Sequence, residues 1–254
     1  MHHRIRETRL GAALLEAADT LSEAFDTGLY LQRLSDHCVD LLGASAAGIM
    51  LIEGGETVSL GVSSRQQRLA QDLLEVQHHS GPCLDSYGTG QPVPPIAILA
   101  AHASSRWPDF TQQALRYDID TTFAVPLRRN GTRLGALNVF VPADGEHPAP
   151  DRESGLRLAQ VLADAAAVGL TNHRTVARHR TLTSQLQQAL SSRVRIEQAK
   201  GMLAERWRTG ADETFTALRQ YARRHRLPLH DVATTVIEGT EDAEGLARER
   251  PAPS

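Results

Sequence analysis

The residues with the most obvious chemical potential form a basic cluster in the last third of the chain. Arg193 and Lys200 are seven residues apart, so on a helix they share one face, with Glu197 between them. Residues 172–228 contain twelve Arg or Lys and four Asp or Glu, an excess of eight positive charges in a chain of net charge −3. This distribution is typical of a site for a polyanion. The alternative is a solvated face that carries an Arg193–Glu197 ion pair at spacing i, i+4.

Lys200 and Gly201, adjacent residues in this cluster, are of types that are not expected at these positions. Lys200 is the single lysine among 27 basic residues, and an ammonium is a compact charge that a guanidinium cannot always replace. Gly201 follows it inside a helical pattern, where glycine costs roughly 1 kcal/mol relative to alanine. The close approach of another helix or of a polyanion backbone would explain such a glycine.

These residues require a long helix and a compact unit to position them. No proline occurs between Asp151 and Arg208, and the apolar residues keep helical spacing. The spacing predicts one stripe at Leu158, Leu162, Ala165 and Gly169 and a second at Leu182, Leu186, Ala189 and Leu190. Because such a helix cannot bury itself, we expect a coiled-coil dimer seam, although the first stripe is equally suited to packing on the N-terminal domain.

Three helices are expected at the C-terminal end. The first ends near Arg208, where Thr209-Gly210 is a stop signal and Gly210 suits a left-handed C-cap. The second spans residues 212–225, and the third follows Pro228 and ends at Gly239.

The N-terminal two thirds predict a mixed domain. Helical spacing covers residues 10–42 with a break near Gly28, and also residues 65–79 and 109–117. Strands are expected at residues 44–53, 56–62, 122–128 and 134–141, with Asn130-Gly131 as a tight hairpin turn. Residues 81–95 are rich in Gly and Pro and are expected to be loop. The predicted fold class is α+β, an antiparallel sheet flanked by helices, followed by a long coiled-coil helix and a three-helix bundle.

The sequence lacks the motifs that are typical of several classes of protein. The sequence has no apolar run long enough for a membrane span and no signal peptide, so we expect a cytoplasmic protein without a membrane partner. Cys38 and Cys83 are too few for a disulfide framework, and with three histidines, His78, His79 and His102, they fit no metal-ligand spacing. No phosphate-binding loop, GxSxG or HExxH motif occurs. We therefore expect no enzyme, no cofactor, no metal and no catalytic residue.

The segment from Ser192 to Leu203, SRVRIEQAKGML, resembles the opening of an ANTAR domain. It is followed at the expected distances by Phe215, Leu218-Arg219, Ala222 and Asp231-Val232-Ala233. Thr214 and Ala211 depart from the family pattern at a packing and a capping position.

The ANTAR resemblance implies a transcription antitermination regulator that binds RNA hairpins in leader transcripts and meets RNA polymerase only indirectly. The implied RNA-binding residues are Arg193, Lys200, Gly201, Arg219, Tyr221, Ala222 and Arg223, with Arg224 beside them. Tyr221 is the preferred candidate for base stacking, whereas Trp207, Ile196, Leu203, Phe215 and Leu218 are expected to pack between helices. A DNA-binding regulator and a protein-interaction scaffold remain alternatives.

Residues 20–171 resemble a GAF domain of the kind found in actinobacterial regulators. The resemblance is carried by Gly81-Pro82-Cys83-Leu84-Asp85-Ser86-Tyr87 with Thr89-Gly90, by Arg106-Trp107-Pro108-Asp109-Phe110, and by the segments 125–127 and 134–139. It implies a sensor with a pocket for a small-molecule ligand of unknown identity. The expected organisation is an N-terminal helical extension (1–19), the sensor (20–172), a coiled-coil linker (173–190), the ANTAR domain (191–240) and a disordered tail (241–254), in a homodimer.

Overall fold

A computed structural model of the chain describes residues 2–20, 25–53, 56–143 and 152–239. The contacts divide the chain into two compact units, Met1–Val176 and Ala177–Ser254. The predicted disordered tail (241–254) lies outside the described residues.

The first unit is a five-stranded antiparallel sheet with helices on both faces, in the strand order β2-β1-β5-β4-β3. The strands are β1 (Ala46–Glu53), β2 (Glu56–Val62), β3 (Val93–Ala97), β4 (Ile119–Arg129) and β5 (Thr132–Pro142). The helices are α1 (His2–Ala18), α2 (Thr27–Leu42), α3 (Gln67–Glu75, continued by a 3-10 turn at Val76–His78), α4 (Pro82–Thr89), α5 (Ile98–Ala103), α6 (Pro108–Arg116) and the beginning of α7 (Arg152–Trp207).

Alternation along the strands gives this sheet two cores. On β1, Ile49 and Leu51 belong to the core shared with α1, α2 and α7, whereas Met50 and Ile52 belong to the core shared with α3 to α6. Successive strand residues point to opposite faces, so a strand covered on both sides is apolar throughout. The α+β architecture predicted for this part of the chain is confirmed.

The prediction of loop for residues 81–95 is wrong in two places, because α4 and β3 lie there. Pro82 occupies the first turn of α4, where its missing N–H costs no hydrogen bond, and Gly90 ends the helix in a left-handed conformation with φ of 67°. Pro82 and Gly90 therefore mark the two ends of a short helix. The hairpin prediction is confirmed, since Asn130 and Gly131 have φ of 49° and 78° between β4 and β5.

A single helix, α7 (Arg152–Trp207), contains both predicted stripes. It is followed by α8 (Ala211–His225) and α9 (Leu229–Glu238), which confirms the three-helix C-terminal end. Gly210 has φ of −69° and is the N-cap of α8, so its predicted role as a left-handed C-cap is wrong. Arg208 takes the left-handed conformation instead, with φ of 52°.

Candidate nucleic-acid interface

The C-terminal unit is held together by a core of its own. Its buried residues share helical spacing on all three helices: Ala199, Leu203, Trp207, Ala217, Leu218, Tyr221, Ala222, Val232, Ala233 and Val236. Thr214, a departure from the family pattern, is fully buried, and its hydroxyl donates to the Gly210 carbonyl at 2.9 Å. The buried hydroxyl is therefore satisfied, and this departure leaves the core closed.

Lys200 lies at the edge of that core with its ammonium paired to Glu197. The Lys200 side chain is 21% exposed, and the Glu197 carboxylate that it contacts is 55% exposed. The alternative ion pair between Arg193 and Glu197 does not form. Arg193 is exposed and makes no ion pair or side-chain hydrogen bond with the described residues. Its guanidinium is available to an external anion.

Gly201 faces open space. A Cβ built on this residue would meet no heavy atom within 4 Å. No other part of the described structure approaches it, so the predicted close approach of a second helix is not found within the chain. No contact within the described residues therefore accounts for a glycine at this exposed helical position.

The outer face of α8 carries paired arginines. Arg219 and Arg223 are four residues apart and exposed, and neither forms an ion pair or side-chain hydrogen bond with the described residues. Like charges at this spacing destabilise a helix by about 0.2–0.5 kcal/mol per pair. A surface that keeps such a repulsion is well suited to a polyanion. Arg224 is also exposed, beside them.

Tyr221 and Phe215, two aromatic residues of this unit, do not lie where the sequence analysis expected them. Tyr221 is 7% exposed, and its ring packs in the core with its centroid 4.2 Å from that of His225. Ala222 is also buried, at 5% exposed. Both lie on the inner face of α8, so they support the surface from below and do not present atoms to a partner. Trp207, at 4% exposed, packs as expected.

Phe215 is the aromatic residue that the structure leaves partly exposed. It was expected in the core, but it is not among the buried residues of the C-terminal cluster. It precedes Arg219 by four residues and Arg223 by eight, so the three side chains follow one side of α8. A helical wheel would have indicated this, because positions 214, 217, 218, 221 and 222 form the i, i+3, i+4, i+7, i+8 stripe without Phe215.

The second apolar stripe of α7 is exposed. Leu182 is 47% exposed, Leu186 65% and Leu190 64%. The same helix therefore presents unpaired leucines before it enters the C-terminal core.

The sensor unit offers little reactive chemistry. Burial raises the pKa of Cys38 to about 12 and raises the pKa of Cys83 as well, so neither thiol is ready to ionise. Within the described residues, no group of three or more His, Cys, Asp or Glu could hold a metal ion. None of the described helices is long and apolar enough to cross a membrane. One buried donor is unsatisfied there: Asn138 Nδ2 has no partner, although its Oδ1 accepts from the Thr122 hydroxyl at 2.8 Å.

Solved structures similar to this chain cover about two thirds of it at low identity. The free methionine-R-sulfoxide reductase from Neisseria meningitidis, solved in complex with its substrate, is 17% identical over 69% of this chain and 94% of its own, with a TM-score of 0.48. The GAF domain of A. aeolicus nlh2 in an inactive state is 14% identical over 65% and 98%, with a TM-score of 0.46. The GAF domain of a phosphoenolpyruvate-protein phosphotransferase from Coxiella burnetii is 15% identical over 67% and 98%, with a TM-score of 0.47. No curated protein matches the chain.

Two domain families match the sequence in succession. The GAF domain family matches residues 30–171, and the ANTAR domain family matches residues 184–237. The first match covers more than half of the chain, and the second covers nearly all of the three-helix unit. The chain therefore belongs to the GAF domain family, and with an ANTAR domain after the GAF domain it is a GAF–ANTAR regulator.

Proposed function

We propose that this protein binds hairpins in nascent transcripts through its ANTAR domain and prevents transcription termination under the control of its GAF domain. The observation that carries the proposal is the set of exposed arginines without partners among the described residues, Arg193, Arg219 and Arg223, on a folded unit of an otherwise acidic chain. Phosphate contacts by such residues supply most of the affinity for a nucleic acid. Lys200 joins them by exchanging Glu197 for a phosphate.

RNA with unpaired bases fits this surface better than duplex DNA. Phe215 is partly exposed in line with Arg219 and Arg223, and an aromatic ring beside guanidinium groups is a platform for a splayed base. Bases inside a duplex do not offer their faces. Gly201 adds a place where a sugar-phosphate backbone can approach α7 closely.

A homodimer would cover the exposed leucines of α7. Leu182, Leu186 and Leu190 recur at helical spacing with no partner among the described residues. A second copy of the same helix is the partner that matches such a stripe. A dimer carries two ANTAR domains, so it can engage two hairpins of one transcript and gain affinity without new contacts.

The GAF domain supplies the regulatory input in this proposal, not an enzymatic activity. The unpaired Nδ2 of Asn138 lies on the face of the sheet covered by α3 to α6 and offers a buried donor to a small molecule. Because nascent transcripts are the targets, the protein acts in the cytoplasm and reaches RNA polymerase only through the RNA.

Binding of the full-length protein to RNA tests the proposal. Hairpin RNAs selected from a randomised-loop pool would be compared with duplex DNA of matched sequence at about 150 mM salt, where affinity from phosphates alone is already reduced. We expect selective RNA binding that weakens about tenfold in Lys200→Ala and in Arg219→Ala, a loss on the scale of one strong contact of about 1.4 kcal/mol. Arg116→Ala, which removes an exposed arginine of the sensor, is the matched control and should bind as the wild type does.

Each other result points to a different class of protein. Equal or tighter binding to the DNA would identify a DNA-binding regulator. No nucleic-acid binding at this salt concentration would leave the basic face as a protein-docking scaffold. RNA binding that is indifferent to both substitutions would remove the interface from α7 and α8.

A further inference from the structure

An open cleft lies within the C-terminal unit between α7 and the first turn of α9. Its volume is about 500 Å³, and it is lined by Gln185, Gln188, Ser191, Ser192, Arg195 and His230, together with Ala189 of the second apolar stripe. None of these residues belongs to the basic surface described above. Arg195 follows Arg193 by two residues, which places it about 200° around the helix. The cleft is therefore a second, separate surface of the same unit.

The hydrogen-bonding groups of the cleft are largely unused. The carboxamides of Gln185 and Gln188 and the hydroxyls of Ser191 and Ser192 make no hydrogen bond with the described residues. Each glutamine offers both donors and an acceptor. These side chains are exposed or partly exposed, so a ligand that has hydrogen-bonding edges of its own can replace the water around them.

The guanidinium of Arg195 is held in place beside the cleft. Its Nη1 donates to the Thr234 hydroxyl at 3.0 Å, and that hydroxyl donates to the His230 carbonyl at 2.9 Å. The remaining N–H groups of the fork have no partner in the described residues, so they can meet an anion without first losing side-chain freedom. His230 is less available, because its Nε2 lies 3.1 Å from Asp231 Oδ1.

We propose that this cleft binds one unpaired nucleotide of the hairpin loop, with Arg195 on its phosphate and Gln185 and Gln188 on the edge of its base. The proposal rests on the function proposed above and names a further part of its RNA site. A single positive fork beside several neutral donors and acceptors matches one phosphate and one base better than a long polyanion. An unpaired nucleotide is favoured, since the major-groove edges of paired bases in an A-form stem lie in a groove too deep and narrow for side chains to read. The RNA would then contact α7 on two sides, at the basic face and at the cleft.

The test combines cleft variants with changes in the RNA. The protein variants are the double substitution Gln185→Ala with Gln188→Ala and the single substitution Arg195→Gln, all in the full chain. The matched control is Gln198→Ala, an exposed glutamine of α7 outside the cleft. The RNA is a hairpin selected with the wild-type protein, together with versions that carry an abasic site at each loop position in turn and a stem-only duplex of the same sequence.

If the proposal is correct, the double glutamine variant loses about tenfold in affinity for the hairpin and nothing for the stem. At one loop position, an abasic site weakens wild-type binding but does not weaken the double variant further. Arg195→Gln lowers the salt dependence by about one phosphate contact, and Gln198→Ala binds as the wild type does.

Three results would overturn the proposal. Equal losses of affinity for hairpin and stem would show that the glutamines affect the fold or the electrostatic field of the whole C-terminal unit. Unchanged RNA binding together with weaker self-association in sedimentation would show that the cleft is a protein interface. If the affinity losses caused by the double glutamine substitution and by the abasic site were additive at every loop position, no nucleotide would enter the cleft. In each case, RNA binding that still depends on Lys200 would leave the proposed function intact. A wild-type protein that selects no hairpin would contradict both the proposed function and the cleft proposal.

Discussion

The two halves of α7 carry similar apolar stripes, but the first stripe packs against a core and the second is exposed. In the first half, Leu162 and Gly169 are buried, and Leu158 and Ala165 pack partly buried against the same core. In the second half, Leu182, Leu186 and Leu190 are between 47% and 65% exposed. Helical periodicity therefore shows that a face is apolar but does not say what covers it.

The difference comes from the residues beside the stripes. The first half is rich in small residues, so other backbones can approach it closely. The Tyr30 hydroxyl donates to the Ala17 carbonyl and lies 3.5 Å from the Ala166 carbonyl, and the Thr20 hydroxyl donates to the Gly169 carbonyl at 3.0 Å. Around Leu182 to Leu190 the neighbours are Gln, Ser and Thr, and the leucines protrude between them. That geometry suits interdigitation with a second helix of the same kind.

Leucine substitutions in the two halves should separate folding from association. Leu162→Ala removes a fully buried side chain, so the free energy of unfolding should fall by about 2–5 kcal/mol. Leu186→Ala removes an exposed one, so at the lowest protein concentrations it should change stability by less than about 0.5 kcal/mol. Chemical denaturation at two protein concentrations measures both effects.

The same pair tests the proposed dimer. The stability of a dimer rises with protein concentration, and Leu186→Ala should remove that dependence while Leu162→Ala keeps it. Sedimentation at micromolar concentration should show the corresponding shift to monomer for Leu186→Ala. A wild-type chain that is monomeric with and without RNA would contradict the dimer and leave the exposed stripe without an occupant.

Gly169 and Gly201, both in α7, sharpen the comparison within one residue type. A Cβ at Gly169 would lie 2.2 Å from the Ala17 carbonyl oxygen and 2.6 Å from the Tyr30 hydroxyl, so Gly169→Ala should destabilise the fold by about 1–3 kcal/mol. A Cβ at Gly201 meets open space, so Gly201→Ala should stabilise the chain by about 0.5–1 kcal/mol.

RNA binding should respond to Gly201→Ala in the opposite direction from stability. If the RNA backbone approaches this position, affinity should fall by about fivefold, the equivalent of about 1 kcal/mol. Thermal unfolding and RNA titration of the same protein preparation give both numbers. A Gly201→Ala variant that is more stable and binds RNA normally would remove this residue from the interface.

Much of the fold could be predicted from local chemistry. The Asn130-Gly131 turn fixed the register of β4 and β5, and Gly239 ended α9 in a left-handed conformation, with φ of 68°. The segment 81–95 could not be read this way, because Pro82 and Gly90 have the same appearance in a loop as at the two ends of a short helix. Only the packing of Cys83 and Leu84 against the sheet core decides for the helix.

The candidate site was predicted less well than the fold, for a geometric reason. Arg193, Arg219 and Arg223 carry charges that favour exposure to solvent, so their residue types were enough to predict that they lie at the surface. Tyr221 and Phe215 are both aromatic on the same helix, and only their angular positions distinguish the buried ring from the exposed one. The cleft that contains Arg195 and His230 joins residues far apart in sequence, and no spacing rule indicates it.

The exchange of roles between these two aromatic residues supplies a third pair of variants, one of which should have almost no effect. Phe215→Leu keeps an apolar side chain on α8 but removes the ring, so RNA affinity should fall by about fivefold to tenfold, at the lower end of base stacking on an aromatic side chain. Tyr221→Phe removes only a hydroxyl that has no partner in the described residues, and its ring stays in the core, so binding and stability should hardly change. Fluorescence titration with the selected hairpin RNA, alongside thermal unfolding of each variant, measures the pair. If Tyr221→Phe weakened RNA binding while Phe215→Leu did not, stacking would have to occur from the inner face of α8. The C-terminal unit would then have to open when RNA binds.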